Sequence, residues 1–138
     1  MSVAIENLIP HRAPMRFIDA LVECTDTTAV ATVCFRDASF AVADGFVLET
    51  ALVECVAQTV AAALGQRART HGKSDFAVAA TGMLVAVSNF KIHSRPPAGK
   101  TLRIQIHELK RLGLMLRVAS GIFCDGQPVA AGELTLYA

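Results

Sequence analysis

The sequence predicts an α+β fold in which an antiparallel sheet covers one long buried helix. Residues 47–65 (VLETALVECVAQTVAAALG) form a run of about five helical turns with apolar residues on every side. A helix that is apolar all round is typical of a buried helix. The segments before and after it are rich in apolar and β-branched residues and are bounded by turn signals, as expected of strands. Because this helix is the only large cover available, we expect the sheet to wrap around it.

The predicted strands place the helix in the middle of the chain. Two strands are expected before it and four after it, the latter in a meander: 15–24, 27–36, 82–93, 101–109, 114–124 and 128–138. A polar loop is predicted at 67–75, and Asp125-Gly126 is a strong hairpin signal. An antiparallel sheet wrapped around one central helix is the hotdog architecture. No linker or repeat divides the chain, so residues 1–138 are expected to form a single domain.

The composition of the chain excludes several classes of function. Apolar residues make up 53% of the 138 residues and charged residues 18%, which favours a folded core over disorder. The formal net charge of +1 and the absence of Trp argue against a nucleic-acid partner. The N-terminus does not resemble a signal peptide, and Glu49 and Glu54 make the helix a poor membrane span. A cytoplasmic protein without a membrane partner is therefore expected.

The cysteines and histidines lack the spacings of metal sites. No cysteine pair has CxxC spacing and no histidine pair has HExxH spacing, so a metal site is not predicted. The four cysteines lie in apolar segments and are interpreted as small buried residues: Cys24, Cys34, Cys55 and Cys124. Three of the four histidines are interpreted as surface residues: His71, His93 and His107.

Four motifs occur in a defined order along nearly the whole chain. They are an opening that contains Pro-His-Arg (5–23), Glu-Cys-Val-Ala-Gln in the helix (54–58), a proline turn and strand (95–111), and a final hairpin (125–138). Together they resemble the hotdog-fold family of 3-hydroxyacyl-acyl carrier protein dehydratases. The resemblance implies elimination of water from a 3-hydroxyacyl thioester, to give a trans-2-enoyl thioester, without a cofactor. It also implies a substrate on acyl carrier protein or coenzyme A, and a homodimer or a pair with a related hotdog subunit.

One position departs from the usual pattern of that family. Its members usually carry His-Phe-Pro-Gly fourteen residues before the helix glutamate, where this chain has Phe40. The Pro-His-Arg-x-Pro-Met opening and the Glu-x-x-Ala-Gln helix are similar to a divergent branch related to dehydratases of aryl-polyene-type pathways. By position, Glu54 matches the catalytic acid of the family. The absent histidine leaves two alternatives open: a hotdog thioesterase in which Glu54 activates water, and a non-catalytic acyl-binding subunit that completes the site of a partner.

Three polar residues are candidates for the site around this helix. A mid-helix carboxyl group such as Glu54 either forms a structural ion pair or protonates a departing hydroxyl group. Gln58 lies one turn further on the same face, where it either orients that carboxyl group or satisfies the strand opposite. His11 is either a turn residue that bonds to the backbone or a replacement proton acceptor, since histidine titrates near neutral pH.

The start of the helix is a further candidate for substrate binding. Asp44 is expected to cap the helix, because Asp accepts hydrogen bonds from the first backbone N–H groups. A thioester carbonyl bound near Asp44 would have its developing negative charge stabilised by backbone donors and the helix dipole. Two basic stretches either complement the dipole or receive an acidic carrier protein: Arg67, Arg69, His71 and Lys73 after the helix, and Lys91, Arg95 and Lys100 at the proline turn.

Overall fold

A computed structural model of the chain describes residues 3–72 and 83–137. The elements are a 3-10 turn (Ile5–Asn7), β1 (Ala20–Cys24), β2 (Thr28–Cys34), β3 (Val42–Ala43), β4 (Phe46–Val47), α1 (Glu49–Thr70), β5 (Met83–Ile92), β6 (Thr101–Leu112), β7 (Met115–Cys124) and β8 (Gln127–Tyr137). Six strands form one antiparallel sheet in the order β1-β2-β6-β7-β8-β5, and β3 pairs with β4. The helix packs against this sheet, which confirms the predicted hotdog architecture.

The helix is buried as predicted, but it begins and ends later than expected. It starts at Glu49, because Val47, the first residue of the predicted helix, belongs to β4. It continues to Thr70, so the start of the loop predicted at 67–75 is helical, and the residues of that loop from 73 onward lie outside the described part of the chain. Arg67 explains the extension, because its guanidinium group forms a largely buried ion pair with Glu108 of β6 and its Nε donates to the carbonyl of Thr25 at 2.7 Å. These contacts hold the last turns on the sheet. Among the described residues, no helix has the length and hydrophobicity that a membrane span requires.

The sheet agrees with the predicted strands except in the placement of β5, the start of β1, and the ends of β2 and β6, which lie at Cys34 and Leu112. The alternation predicted for β6 is confirmed, with three buried side chains (Leu102, Ile104 and Ile106) between three exposed ones (Arg103, Gln105 and His107). The last three strands form a meander, but β5 does not precede β6 in the sheet. It pairs with β8 at the far edge, because β2 occupies the side of β6 that faces away from β7. The strand predicted at 15–24 begins only at Ala20, since the backbone N–H groups of Phe17 and Ile18 donate to Gln58 of the helix instead of to a neighbouring strand. Residue 82, where the strand that corresponds to β5 was predicted to start, lies outside the described residues.

A short hairpin before the helix was not predicted. It consists of β3 and β4, joined by Asp44 and Gly45 with φ values of 54° and 83°. Positive φ at both central residues is the geometry of a tight hairpin turn, for which Asp-Gly is a preferred sequence. The prediction that Asp44 caps the helix is therefore wrong. Leu48 occupies the cap position without a side-chain hydrogen bond, because β4 lies between the turn and the helix.

The cysteines differ in burial. Cys55 on the helix is fully buried, and this burial raises the pKa of its thiol. Cys24 and Cys124 are partly buried, and desolvation raises their thiol pKa values as well. Cys34 is exposed, so its interpretation as a buried residue is wrong: Ala31 and Val33 of β2 face the core, and the alternation of the strand puts Cys34 on the other face. The three histidines expected at the surface are exposed.

Candidate active site

Glu54 projects from the second turn of the helix into an open cavity of about 340 Å³. The wall of the cavity is mainly apolar and includes Met15, Phe17 and Leu48. The side chain of Glu54 is 35% exposed, so its carboxyl group lies at the boundary between this apolar wall and solvent. Within the described part of the chain, no group of three or more His, Cys, Asp or Glu residues is arranged to hold a metal ion.

His11 is brought into the same cavity from the opening segment of the chain. Its Nε2 atom lies 3.4 Å from Oε2 of Glu54. Its Nδ1 atom is buried and has no hydrogen-bond partner among the described residues. The loop around it is held by Arg12, whose Nη1 donates to the carbonyl groups of Ile9 and His11, both at 2.9 Å. The imidazole ring therefore faces the carboxyl group of Glu54. The hydrogen bonds to the backbone of the loop come from Arg12 and not from His11.

Gln58 connects the helix, Glu54 and the opening segment through one buried amide. Its Nε2 donates to Oε2 of Glu54 at 3.0 Å and to the carbonyl of Met15 at 2.8 Å. Its Oε1 accepts from the backbone N–H groups of Phe17 at 2.8 Å and Ile18 at 3.4 Å. Both interpretations of Gln58 therefore hold at once, since the amide orients the carboxyl group and also satisfies the neighbouring backbone. Because the side chain is fully buried, its link to the cavity is the hydrogen bond to Glu54.

We expect Gln58→Leu to lower the free energy of unfolding by about 1–3 kcal/mol, because a buried backbone N–H group loses its acceptor. Denaturant unfolding followed by circular dichroism measures the change. Gln66→Leu is the matched control, since Gln66 lies on the same helix and, among the described residues, its amide makes a single hydrogen bond, from Nε2 to the exposed Thr70 hydroxyl group at 3.5 Å. An equal effect of the two substitutions would show that the amide of Gln58 has no special structural role.

Phe40 occupies the position at which members of the resembled family usually carry histidine. Its ring lines the cavity of Glu54 and is 56% exposed. It contacts the ring of Phe17, with 5.8 Å between the ring centroids. An apolar ring therefore stands where a second titratable group is usual, and His11 is the histidine that the fold places next to Glu54.

The N-terminus of the helix also faces the cavity. Thr50 and Ala51, in the first helical turn, lie in the cavity wall together with Leu48. The partial positive charge of this helix end favours negative charge in the cavity. Asp44 is not among the residues of the wall, because it lies in the turn of the hairpin. A role of Asp44 in substrate binding stays a prediction, and no contact of Asp44 with the cavity supports it.

The hairpin that leads into the helix is held by a residue that the sequence did not single out for this role. Arg95 donates from Nε to the carbonyl of Val47 at 3.0 Å, and from Nη2 to the carbonyls of Ala43 at 3.3 Å and Phe46 at 3.1 Å. The guanidinium group thereby fixes the hairpin against the proline turn. The Asp-Gly pair at 44–45 was the signal that could have revealed the hairpin itself.

Comparison with solved structures finds the same fold in several proteins. The chain superposes on a chain of the dehydratase heterocomplex ApeI:P from Xenorhabdus doucetiae with a TM-score of 0.89 and 21% identity, over 99% of this chain and 91% of that one. It superposes with a TM-score of 0.66 and 12% identity on a hypothetical thioesterase with coenzyme A from Streptococcus pneumoniae, over 86% of this chain and 83% of that one. For the protein smu.793 from Streptococcus mutans, bound to acetyl coenzyme A, the TM-score is 0.68 with 15% identity over 92% and 91% of the two chains.

Comparison of the sequence with known families is more specific than the structural likenesses, which establish the fold. No curated protein matches the sequence significantly. The model of the ApeP-like family, described as ApeP dehydratase, matches residues 3–138 and thus almost the whole chain. The match includes the opening with His11, the helix with Glu54 and Gln58, and the final hairpin. The chain belongs to the ApeP-like dehydratase family.

Proposed function

We propose that this protein is a hydro-lyase that eliminates water from a 3-hydroxyacyl thioester to give a trans-2-enoyl thioester. The observation that carries the proposal is the pair formed by Glu54 and His11, 3.4 Å apart in an apolar cavity at the N-terminus of a buried helix. Membership of a dehydratase family supports it. Carboxylic acids and imidazoles are the usual proton donors and acceptors of enzymes.

Each group has one task in the proposed reaction. Nε2 of His11 takes the proton from C2 of the acyl chain, and the carboxyl group of Glu54 protonates the hydroxyl group on C3. The C3–O bond breaks, the double bond forms between C2 and C3, and the hydroxyl group leaves as water. The backbone N–H groups at the start of the helix stabilise the negative charge that develops on the thioester oxygen. An acid, a base and a polarised carbonyl suffice, so the reaction proposed here uses no cofactor.

The thioester is expected to arrive on acyl carrier protein or coenzyme A, in the cytoplasm. Two proteins of similar fold were solved with coenzyme A or acetyl coenzyme A, which supports a carrier with a pantetheine arm. Of the basic residues considered for carrier binding, three are already engaged: Arg67 in its ion pair with Glu108, Arg95 in the hairpin contacts, and Lys100 in an exposed ion pair with Asp125. Lys91 remains an exposed candidate.

We further propose that the protein works as a dimer, either with a second copy or with a related hotdog subunit. The edge strand β5 carries Leu84 and Val87, which pair with the buried Leu136 and Leu134 and therefore lie on the helix-covered face of the sheet. They nevertheless remain 39% and 45% exposed, because their own helix does not reach them. A partner that joins this edge and brings its own helix would cover them. The heterocomplex formed by the Xenorhabdus protein supports a related subunit as that partner.

Substitution of Val87 by Lys is expected to abolish this assembly, because it places a charge in an interface that would bury over about 2,000 Å². Light scattering at micromolar concentration, of the protein alone and with a related subunit, measures the effect. Val22→Lys is the control, since Val22 is an exposed residue of the opposite edge strand β1. A wild-type protein that stays monomeric under both conditions would refute the proposed assembly.

The alternative function is that of a thioesterase, which the thioesterase of similar fold and the partly exposed Glu54 support. Two parallel assays distinguish it from dehydration. Hydration of crotonyl and longer enoyl thioesters is followed by loss of the enoyl absorbance, and hydrolysis by release of free thiol. We expect loss of absorbance without thiol release. Thiol release without loss of absorbance would favour a thioesterase. Silence in both assays, with binding of the acyl chain retained, would favour a non-catalytic subunit.

A further inference from the structure

A second cavity adjoins the one that contains Glu54. It has a volume of about 550 Å³ and lies between the segment before β1 and the segment after β2. Phe17 and Phe40 line both cavities, so the cavities meet at these two residues, which are called the partition below. We propose that the acyl chain beyond the reacting carbons passes this partition into the second cavity, and that Phe40 determines which chains enter. This inference rests on the proposed dehydration and adds to it the subsite that selects the substrate.

The partition has one fixed ring and one accessible ring. Phe17 is 8% exposed and packs edge-on against the buried Phe35, with 5.3 Å between the ring centroids. Phe40 is 56% exposed, and within the described part of the chain its one ring contact is with Phe17. Turning the side chain of Phe40 would therefore break few contacts, whereas Phe17 is held in place by the core. Phe40 is the part of the partition that can yield to a long chain.

The lining of the second cavity suits an uncharged chain. Its wall is mainly apolar and includes Pro14, Phe35 and Ala38. At the rim, Arg16 donates to the carbonyl of Ile18 at 2.7 Å and lies 3.8 Å from Asp19, so its charge is already compensated. Each methylene group buried there would increase affinity about fourfold. Arg36 also lines this cavity, so the phosphate of the pantetheine arm is an alternative occupant. The experiment below distinguishes the two occupants.

Cys34 offers a direct test, because it is exposed and lines the second cavity. Of the other thiols, Cys55 is buried, and desolvation raises the pKa values of Cys24 and Cys124, so all three should react more slowly. The rate of alkylation of Cys34 by iodoacetamide is measured by peptide mass spectrometry with decanoyl coenzyme A, butyryl coenzyme A or coenzyme A alone. We expect the decanoyl compound to slow alkylation by about tenfold and the other two to leave it unchanged. Protection by coenzyme A alone would assign the cavity to the arm and overturn the inference, as would an absence of protection by the decanoyl compound.

Substitution of Phe40 tests the same inference through specificity. For Phe40→Ala, the ratio of kcat/KM for 3-hydroxydecanoyl to 3-hydroxybutyryl thioester is expected to rise by about tenfold, because the partition is opened. Phe46→Ala is the control, since Phe46 is a similarly exposed ring in neither wall. An unchanged ratio, or an equal rise in the control, would overturn the inference. If wild-type protein turned over neither substrate, the proposed dehydration would fail, and the alkylation experiment, which needs no turnover, would decide the inference alone.

Discussion

Glu54→Gln is expected to lower the rate of 3-hydroxyacyl dehydration by about 10²–10⁴-fold, the usual contribution of a general acid or base, while the protein stays folded. The amide keeps the size of the side chain, and its oxygen can still accept the hydrogen bond that Gln58 donates to Glu54. It cannot transfer a proton to the departing hydroxyl group. The measurement is kcat for crotonyl thioester hydration and for the reverse reaction, together with a circular dichroism spectrum and a melting curve.

Glu49→Gln provides the matched control for this experiment. Glu49 is an exposed residue of the first turn of the same helix and is not part of the cavity wall. Its substitution removes the same charge and is expected to change kcat by less than about threefold, a small effect beside that of a lost general acid. A Glu54→Gln protein that keeps its activity within this margin would show that the reaction is catalysed elsewhere, for example in a partner subunit.

His11→Ala is expected to lower kcat by about 10²-fold or more, with little change in the melting temperature. The loop around His11 is held by Arg12 and by backbone bonds, so removal of the imidazole should leave the loop in place. The proton of C2 then lacks its acceptor. This expectation follows from the contact between Nε2 of His11 and Glu54, which the sequence alone did not indicate.

His93→Ala is the control for the histidine, because His93 is exposed and lies outside the cavity wall. It should change neither kcat nor the melting temperature. A lower melting temperature for His11→Ala, with turnover almost unchanged, would support the alternative that His11 is a turn residue. The base would then have to come from another group.

Local patterns were sufficient to predict the helix and most strands. The burial of the helix and the alternation of β6 depend on the order of apolar residues within one segment, which the sequence displays directly. The position of β5 beside β8, and the extension of the helix to Thr70, depend on contacts between distant segments. The hairpin at 42–47 has strands of only two residues, too short for a periodic pattern, although its Asp-Gly turn is an accepted signal.

The candidate site was predictable in part. Glu54 and Gln58 could be placed together, because residues one helical turn apart share a face. The approach of His11 to Glu54 could not be predicted, because it depends on the path of the opening segment, which Gln58 fixes through the backbone of Met15 and Phe17. Asp44 was misplaced at the helix cap because the hairpin that carries it was overlooked. The shared wall between the two cavities likewise joins rings from two separate segments, Phe17 and Phe40.

The position at which oxygen from water enters the substrate tests the central claim most directly. Crotonyl thioester is incubated in H₂¹⁸O with the assembled protein, and the products are analysed by mass spectrometry. A dehydratase working in reverse places ¹⁸O in the hydroxyl group on C3, and this label should almost vanish when Glu54 of this chain is replaced by Gln. Label in the free carboxylate, or label on C3 that persists at the wild-type rate in the Glu54→Gln protein, would contradict dehydration by Glu54 and His11.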